Sequence, residues 1–339
     1  MKVLGIETSC DECSAAVVED GEKILSNIIM TQIPFHAEWG GVVPEIASRK
    51  HTEWIYAVTK EALDKAGLQV TDIDAVAVTS RPGLFGSLLV GLSFAKAFAW
   101  ARNIPFIAVD HMLAHLYAPQ LVLENKPAYP FLGLLVSGGH TVICRADDFD
   151  DITVMGTTID DAVGEAFDKV AKFYNFGYPG GKIIDEMSRY GDSAAFRFPM
   201  PSLHKGDHRY DVSYSGLKTA VTSQLEMFRV KKDSIKNEDI AASFQKTAVE
   251  ILLRALLNAA DDSGLTTVVA GGGVAANSYL RSCLVKQEHL RCEFPPLELC
   301  GDNGAMIAGI GYHYLARGEI SPLNVTAFSR VTGLKKKYP

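Results

Sequence analysis

Leu4-Gly5-Ile6-Glu7-Thr8-Ser9 runs through Cys10-Asp11-Glu12 into Ala15-Ala16-Val17-Val18, and the plan returns at Leu132-Gly133-Leu134-Leu135-Val136-Ser137, Gly138-Gly139-His140 and Thr141-Val142-Ile143. Each copy reads as an apolar strand, a turn of small or polar residues, and a second strand coming back beside the first. A second element also occurs twice. Ala75-Val76-Ala77-Val78 leads through Arg81-Pro82-Gly83 into a helical stretch over 86–102, and Val268-Val269-Ala270 leads through Gly271-Gly272-Gly273 into one over 276–286. A strand that opens onto a helix N-terminus leaves backbone amides free to cradle an anion. The duplication predicts two α/β lobes with ligands held at strand ends between them.

Around these signals, periodicity predicts helices over 52–66, ended by Gly67, and over 237–262, with Asn237 as cap and Ile240, Phe244, Ala248 and Leu252 on one face. Residues 190–220, rich in Pro, His, Ser and Tyr without a steady period, read as a functional loop region. At 339 residues and 47% hydrophobic composition the chain has material for a large core. An acid at Glu7 interrupts the N-terminus before a signal-peptide core forms, and no apolar run is long enough to span a bilayer. The expectation is a cytoplasmic protein without a membrane partner. Six cysteines are too sparse for a disulfide framework, and the Cys10/Cys13 pair has no second pair at zinc-ribbon spacing, so packing near a turn is its plainer reading.

His111 and His115 stand four apart after the strand-like 104–109, which puts both imidazoles on one helix face, expected to look outward, where they could grip one metal ion. Two histidines also share a face by chance. A zinc-protease motif needs Glu directly after the first His, and Met112 stands there instead. Asp302, in Cys300-Gly301-Asp302-Asn303-Gly304, is the best remote third ligand, or else a helix cap. Two histidines and a carboxylate leave coordination positions open, as catalysis requires. The Ser137-Gly138-Gly139 turn lets backbone amides approach a phosphate, and the turns at Gly180-Gly181 and 271–273 offer to join it. Asp161, Glu165 and Asp168 read as one acidic helix face, solvated or holding sugar hydroxyls. Asp11 and Glu12, at the first hairpin turn, are candidates for a general base.

Together, Gly5 to Glu12, Gly40-Gly41-Val42-Val43-Pro44-Glu45, His111 with His115, Val136 to Thr141, Gly164-Glu165-Ala166-Phe167-Asp168-Lys169, Tyr178-Pro179-Gly180-Gly181, Tyr214-Ser215-Gly216-Leu217-Lys218 and Asp302 to Met306 resemble the bacterial TsaD family of transfer RNA modification, formerly called glycoproteases. The resemblance spans about residues 1 to 310. It implies the two-lobed fold of actin, hexokinase and heat-shock ATPases, built from duplicated ribonuclease-H-like domains. It also implies a first lobe over 1–127, with a C-terminal helix at about 303–322 returning to it, and a nucleotide-binding second lobe over 128–302.

The implied reaction moves a threonylcarbamoyl group from threonylcarbamoyl-AMP to N6 of an adenosine beside the anticodon, in tRNAs reading codons that begin with adenine, at a metal site between the lobes. The resemblance carries the metal ligands onto His111, His115 and Asp302, with Fe2+ the first expectation and Zn2+ the second. It carries adenylate contacts onto Leu135, Val136, Ser137, Gly138, Gly139, Asp168, Gly181, Asp185 and Asn277, and implies a TsaB-like paralogue as heterodimer partner and a TsaE-like ATPase. Cys13 stands where Thr is common, and Arg81 where a small residue is. The rival readings are a sugar-kinase or chaperone-like ATPase and a non-catalytic actin-like partner.

The net charge of −7 limits how an RNA can be held, because phosphates are bound mainly through clustered Lys and Arg. Candidate local cations are Arg197, Lys205 and Arg209, with Lys335, Lys336 and Lys337 in the tail. The isolated chain should therefore bind tRNA weakly and lose it steeply as salt rises; filter binding across a salt series checks this, and tight salt-insensitive binding would refute it.

Overall fold

The computed structural model describes residues 1–124, 126–203, 208–230 and 234–330. They fall into two compact units, one of Met1–Lys126 joined by the described residues from Pro295 to 330, the other of Pro127–Phe294. In the first, β1 (Lys2–Glu7), β2 (Glu12–Glu19) and β3 (Lys23–Thr31) form an antiparallel meander. The chain continues through α1 (Ile33–Ala37) and α2 (Pro44–Ala66) to β4 (Ala75–Arg81), and through α3 (Phe85–Arg102) to β5 (Phe106–Asp110), with α4 (His111–Tyr117) directly behind. β4 pairs parallel with β1, and β5 with β4, so the order is β3-β2-β1-β4-β5.

In the second unit, β6 (Phe131–Val136), β7 (Thr141–Ala146) and β8 (Ile152–Thr157) repeat the meander. Four helices follow, α5 (Val163–Phe173), α6 (Gly180–Ser188), α7 (Ser215–Ser223) and α8 (Asn237–Ser263). β9 (Thr267–Gly271) then pairs parallel with β6, and after α9 (Ser278–Val285) β10 (Arg291–Glu293) pairs parallel with β9. The order β8-β7-β6-β9-β10 matches the first sheet strand for strand. α10 (Leu297–Cys300) and α11 (Gly304–Ala316) belong to the first unit, where α11 packs across β1, β2, β4 and α4.

The two-residue period of a strand explains the layering. Leu4 and Ile6 of β1 join Ile55 and Val58 of α2 and Leu88 and Leu92 of α3 in one buried cluster, while Gly5 between them faces α11. In the second unit Leu132, Leu134 and Val136 of β6 pack with Phe167 of α5 and with Phe244, Ala248 and Leu252 of α8.

Local chemistry moves several boundaries. α2 starts at Pro44, eight positions before the expected 52, because proline at the first helical positions has its φ preset and lacks only an N–H that had no partner anyway. Gly67 ends it in the left-handed region, φ 68°. Asn237 is the first helical residue of α8 rather than its cap, which is Lys236. The helix expected from 276 starts at Ser278, since the Asn277 side chain accepts from Leu280 N at 2.8 Å. Within 190–220, residues from Ser215 are helical; the carboxylate that receives the Tyr214 and Ser215 amides is the distant Asp160.

A Cβ on Gly5 would collide with the Gly304 carbonyl oxygen and lie 2.6 Å from Ala308 N, both of them backbone atoms unable to yield. Gly5→Ala should therefore cost at least about 2 kcal/mol of stability, measured as a lowered midpoint in urea unfolding.

Candidate active site

At the strand ends of the first unit, Asp110 closes β5 and caps α4, its Oδ1 accepting from Met112 N at 2.9 Å and Leu113 N at 3.5 Å. Arg81 Nε lies 3.2 Å from its Oδ2, which accounts for an arginine before Pro82-Gly83. The cap aims His111 and His115 inward from consecutive turns. Their rings meet edge to face, centroids 4.5 Å apart. Both are buried, 7% and 2% exposed, so the expectation of an outward face is corrected: Glu7 and Ser9 lie against His111, and Asp302 against both rings.

Asp302 arrives from the far end of the sequence. It is not the helix cap, because Asn303 takes that role, accepting from Met306 N at 3.0 Å. Freed from capping, Asp302 Oδ1 lies 3.4 Å from His111 Nε2 and 3.1 Å from His115 Nε2, while Oδ2 accepts from Ser9 Oγ at 3.4 Å. One potential ligand atom from each of the three residues falls within 4.8 Å of the others.

The electrostatics follow from burial. Burial alone would lower the His111 imidazole, but the carboxylates of Asp302 and Glu7 outweigh it and raise it to about 9. Burial and then the neighbouring His111 lower His115. Burial works to raise Asp302, yet His111 and His115 hold it well below the usual carboxylate range. Without an ion the triad is thus a buried charge pair, and its donor set of two imidazole nitrogens and one carboxylate oxygen suits a divalent cation with open positions. His115 Nδ1 is buried with no partner among the described residues.

Beside the triad, Asp11 and Glu12 occupy the β1–β2 turn. Asp11 O accepts from Gln32 N at 2.9 Å, Cys10 O pairs with His51 Nε2 at 2.9 Å, and Thr31 Oγ1 donates to Glu12 Oε1 at 3.2 Å. Burial, with Asp11 and Asp302 nearby, pushes Glu12 well above the ordinary carboxylate value. Burial also raises the thiols, Cys13 up to about 12, so the CxxC pair stays protonated and packs as the sequence suggested. Sequence reasoning missed Glu7 and Thr79. Glu7 Oε2 lies 2.9 Å from His111 Nδ1 and accepts from Thr79 Oγ1 at 2.5 Å. An acid inside the apolar run Val3 to Ile6 was the available signal.

In the second unit, several elements meet at the Ser137-Gly138-Gly139 turn. Gly164, in the first turn of α5, sits so close that a Cβ there would be 2.5 Å from Ser137 O and 2.9 Å from Gly138 N. Gly272, at φ 94°, has no room for a Cβ against Val136 O. Gly180 N donates to Asp168 Oδ1 at 2.8 Å, tying the start of α6 to α5. Gly138, Gly139 and Gly181 face open space. The turn is therefore packed on the side of Gly164 and Gly272 and open at Gly138, Gly139 and Gly181, the room a close backbone approach to an anion requires.

Leu135 and Val136 are buried in β6 behind the turn. Asn277 donates to Gln245 Oε1 at 2.7 Å while capping α9, tying α9 to α8, and Asp185 accepts from Ser278 N and Oγ at 3.1 and 2.9 Å, tying α6 to α9. Asp161 does not share a helix face with Glu165 and Asp168. It precedes α5 and pairs with Lys169 at 2.6 Å and Lys218 at 2.5 Å. Of the proposed RNA-facing cations, Arg209 is held by Asp262, Arg197 is exposed, and Lys205 and Lys335 to Lys337 lie outside the described residues.

Duplicated five-stranded α/β units, one with a His-His-Asp donor set and the other with an open glycine turn, define a protein of the actin-like fold. Solved structures agree on the fold. Full-length HypF in its phosphate- and nucleotide-bound form superposes with a TM-score of 0.61 at 13% identity, covering 93% of this chain and 46% of that one. Component A of the (R)-2-hydroxyglutaryl-CoA dehydratase of Acidaminococcus fermentans gives 0.56 at 15%, covering 93% and 99%. Residues 23–309 match the family model TsaD, tRNA N6-adenosine threonylcarbamoyltransferase. A protein of that name from Treponema denticola is 64% identical over 337 residues, 99% of each chain. The chain belongs to the tRNA N6-adenosine threonylcarbamoyltransferase family and is a transferase of tRNA modification. The family implies a metal, and the donor set above fits one.

The open nest yields a test. Gly138→Trp places an indole where the ligand would approach, without touching the packed side of the turn, and should weaken binding of an adenylate at least about tenfold in calorimetric titration. Unchanged affinity would reduce the turn to a hairpin.

Proposed function

We propose that the chain transfers the threonylcarbamoyl group of threonylcarbamoyl-AMP to N6 of the adenosine beside the anticodon, with His111, His115 and Asp302 as metal ligands. The observation that carries this reading is the convergence of two imidazole Nε2 atoms on one carboxylate oxygen in a family that implies a metal. The donor set supports Fe2+ first and Zn2+ second. A bound ion there supplies Lewis-acid polarisation of the acyl carbonyl.

The remaining work falls to the protein. The donor is a mixed carbamic-phosphoric anhydride, already activated, so no covalent nucleophile is needed. N6 attacks the carbamoyl carbon, the carbon–oxygen bond to phosphate breaks, and AMP leaves. The amides of Gly138 and Gly139, with Ser137 and Gly181, orient the phosphate, backed by Leu135 and Val136; Asp168, Asp185 and Asn277 brace the helices around the nest. Glu12 accepts the amine proton. It stands next to the triad at the start of β2, where burial first and then Asp11 and Asp302 raise its proton affinity.

The lobes proposed for these roles are 1–127, with the returning helix at about 303–322, and 128–302. A TsaB-like paralogue as partner is supported by α2 and α3, which pack together and expose Tyr56 and Trp100, at 69% and 75%. A TsaE-like ATPase completes the system, and a tRNA substrate makes the cytoplasm its compartment. No described helix is long and apolar enough to cross a membrane.

The test is transfer of labelled threonylcarbamoyl from its adenylate to tRNA by the metal-loaded protein with its partners. Glu12→Gln should lower the transfer rate by a factor of about 100 or more while metal content and adenylate affinity stay unchanged. A rate within threefold of wild type would remove Glu12 from the mechanism.

A further inference from the structure

Glu7 is fully buried at the end of β1, among residues that otherwise make an apolar core. A carboxylate in such a place is tolerated only when donors surround it. Three do. Ser9 N donates to Oε1 at 2.5 Å, Thr79 Oγ1 donates to Oε2 at 2.5 Å, and His111 Nδ1 lies 2.9 Å from Oε2. The first two come from the backbone of the adjoining turn and from β4, the strand beside β1, so they fix the carboxylate before the histidine is considered.

That leaves His111 with one assignment. An imidazole presents two nitrogens, and a metal-binding histidine needs the ligating one unprotonated. With Nδ1–H directed to Glu7, the nitrogen left for a metal is Nε2, the atom 3.4 Å from Asp302 Oδ1. His115 has no equivalent support: its Nδ1 is buried without a partner among the described residues, and its Nε2 faces Asp302. The two histidines are alike in sequence and unlike in how firmly they are held.

We propose that Glu7 is the positioning residue of this centre, a buried acceptor that locks the His111 ring and its Nδ1–H tautomer so that Nε2 is presented to the metal. The inference rests on His111 being a ligand. It predicts that His111 is preorganised by Glu7, with Thr79 and Ser9 as the supports that keep Glu7 in place.

The test uses the full chain and Zn2+ as a diamagnetic probe, its affinity read by competition with a chromogenic chelator. Glu7→Gln keeps the shape of the side chain and should weaken Zn2+ binding about 10- to 100-fold. Glu7→Asp keeps the charge but withdraws the acceptor by about 1.5 Å, one carbon–carbon bond, and should bind as weakly as Glu7→Gln. Recovery of wild-type affinity in Glu7→Asp would mean that charge alone matters and would overturn the positioning role. Ring nitrogen spectra of the unmutated Zn2+-loaded protein need no variant. They should show His111 coordinated through Nε2 with a slowly exchanging Nδ1 proton, and coordination through Nδ1 would overturn the proposal. His111→Ala separates the two levels of inference: loss of Zn2+ there with wild-type binding in Glu7→Gln sinks Glu7 alone, whereas wild-type binding in His111→Ala sinks the ligand assignment and Glu7 with it.

Discussion

The first unit is organised around one close contact, between β1 and the start of α11. Gly5 and Gly304 meet without side chains between them, and Gly304 N donates to Ser14 Oγ at 2.8 Å on the neighbouring strand. Only a pair of glycines permits this approach of helix to sheet. Its consequence is positional: the residue two before Gly304 is Asp302, which the contact delivers to the strand ends where α4 begins. A ligand set drawn from residues 111, 115 and 302 thus depends on a packing event that involves no ligand.

Around that contact the unit concentrates charge that the core would otherwise exclude. Glu7 and His111 are buried and Asp302 is half-buried beside them; the carboxylates raise His111, and the two histidines lower Asp302. Breaking such a set by removing one member costs far more than the set contributes to folding, since it strands a buried charge. The arrangement therefore makes little sense as a stabilising device. It makes sense as a cation site whose two histidines and carboxylate are already desolvated and mutually oriented, so that binding an ion requires little reorganisation.

How much of this was legible follows from the reach of each signal. The duplicated hairpins could be read because strand, turn and strand are adjacent in sequence, and the matching orders of the two sheets confirm the duplication. The HxxxH pair was legible for the same reason. Its burial was not, because the residues against it, Glu7 and Asp302, stand 104 and 187 positions away from His111 and His115. Asp302 and Asn303 both suit a cap, and only the backbone path decides that Asn303 takes it. The helix at Ser215 was invisible since its capping carboxylate, Asp160, sits 54 and 55 residues back. Glu7 was quoted within a motif, yet its role depends on Thr79 and His111, neither of them local.

The second unit bears on which ligand the nest suits. A site for a nucleoside triphosphate must offset several negative charges, commonly with a lysine or a metal at the terminal phosphates. Here Lys169 and Lys218 are paired with Asp161, and Arg189 with Asp185 at 3.5 Å, while Lys182, next to Gly181, stands exposed. Around Gly138, Gly139 and Gly181 the backbone amides and the α5 and α6 N-termini contribute only fractions of a charge. What separates the transferase from a sugar-kinase-like ATPase on the same fold is the family to which the chain belongs, and a turn of fractional charges with one lysine beside it agrees with that assignment.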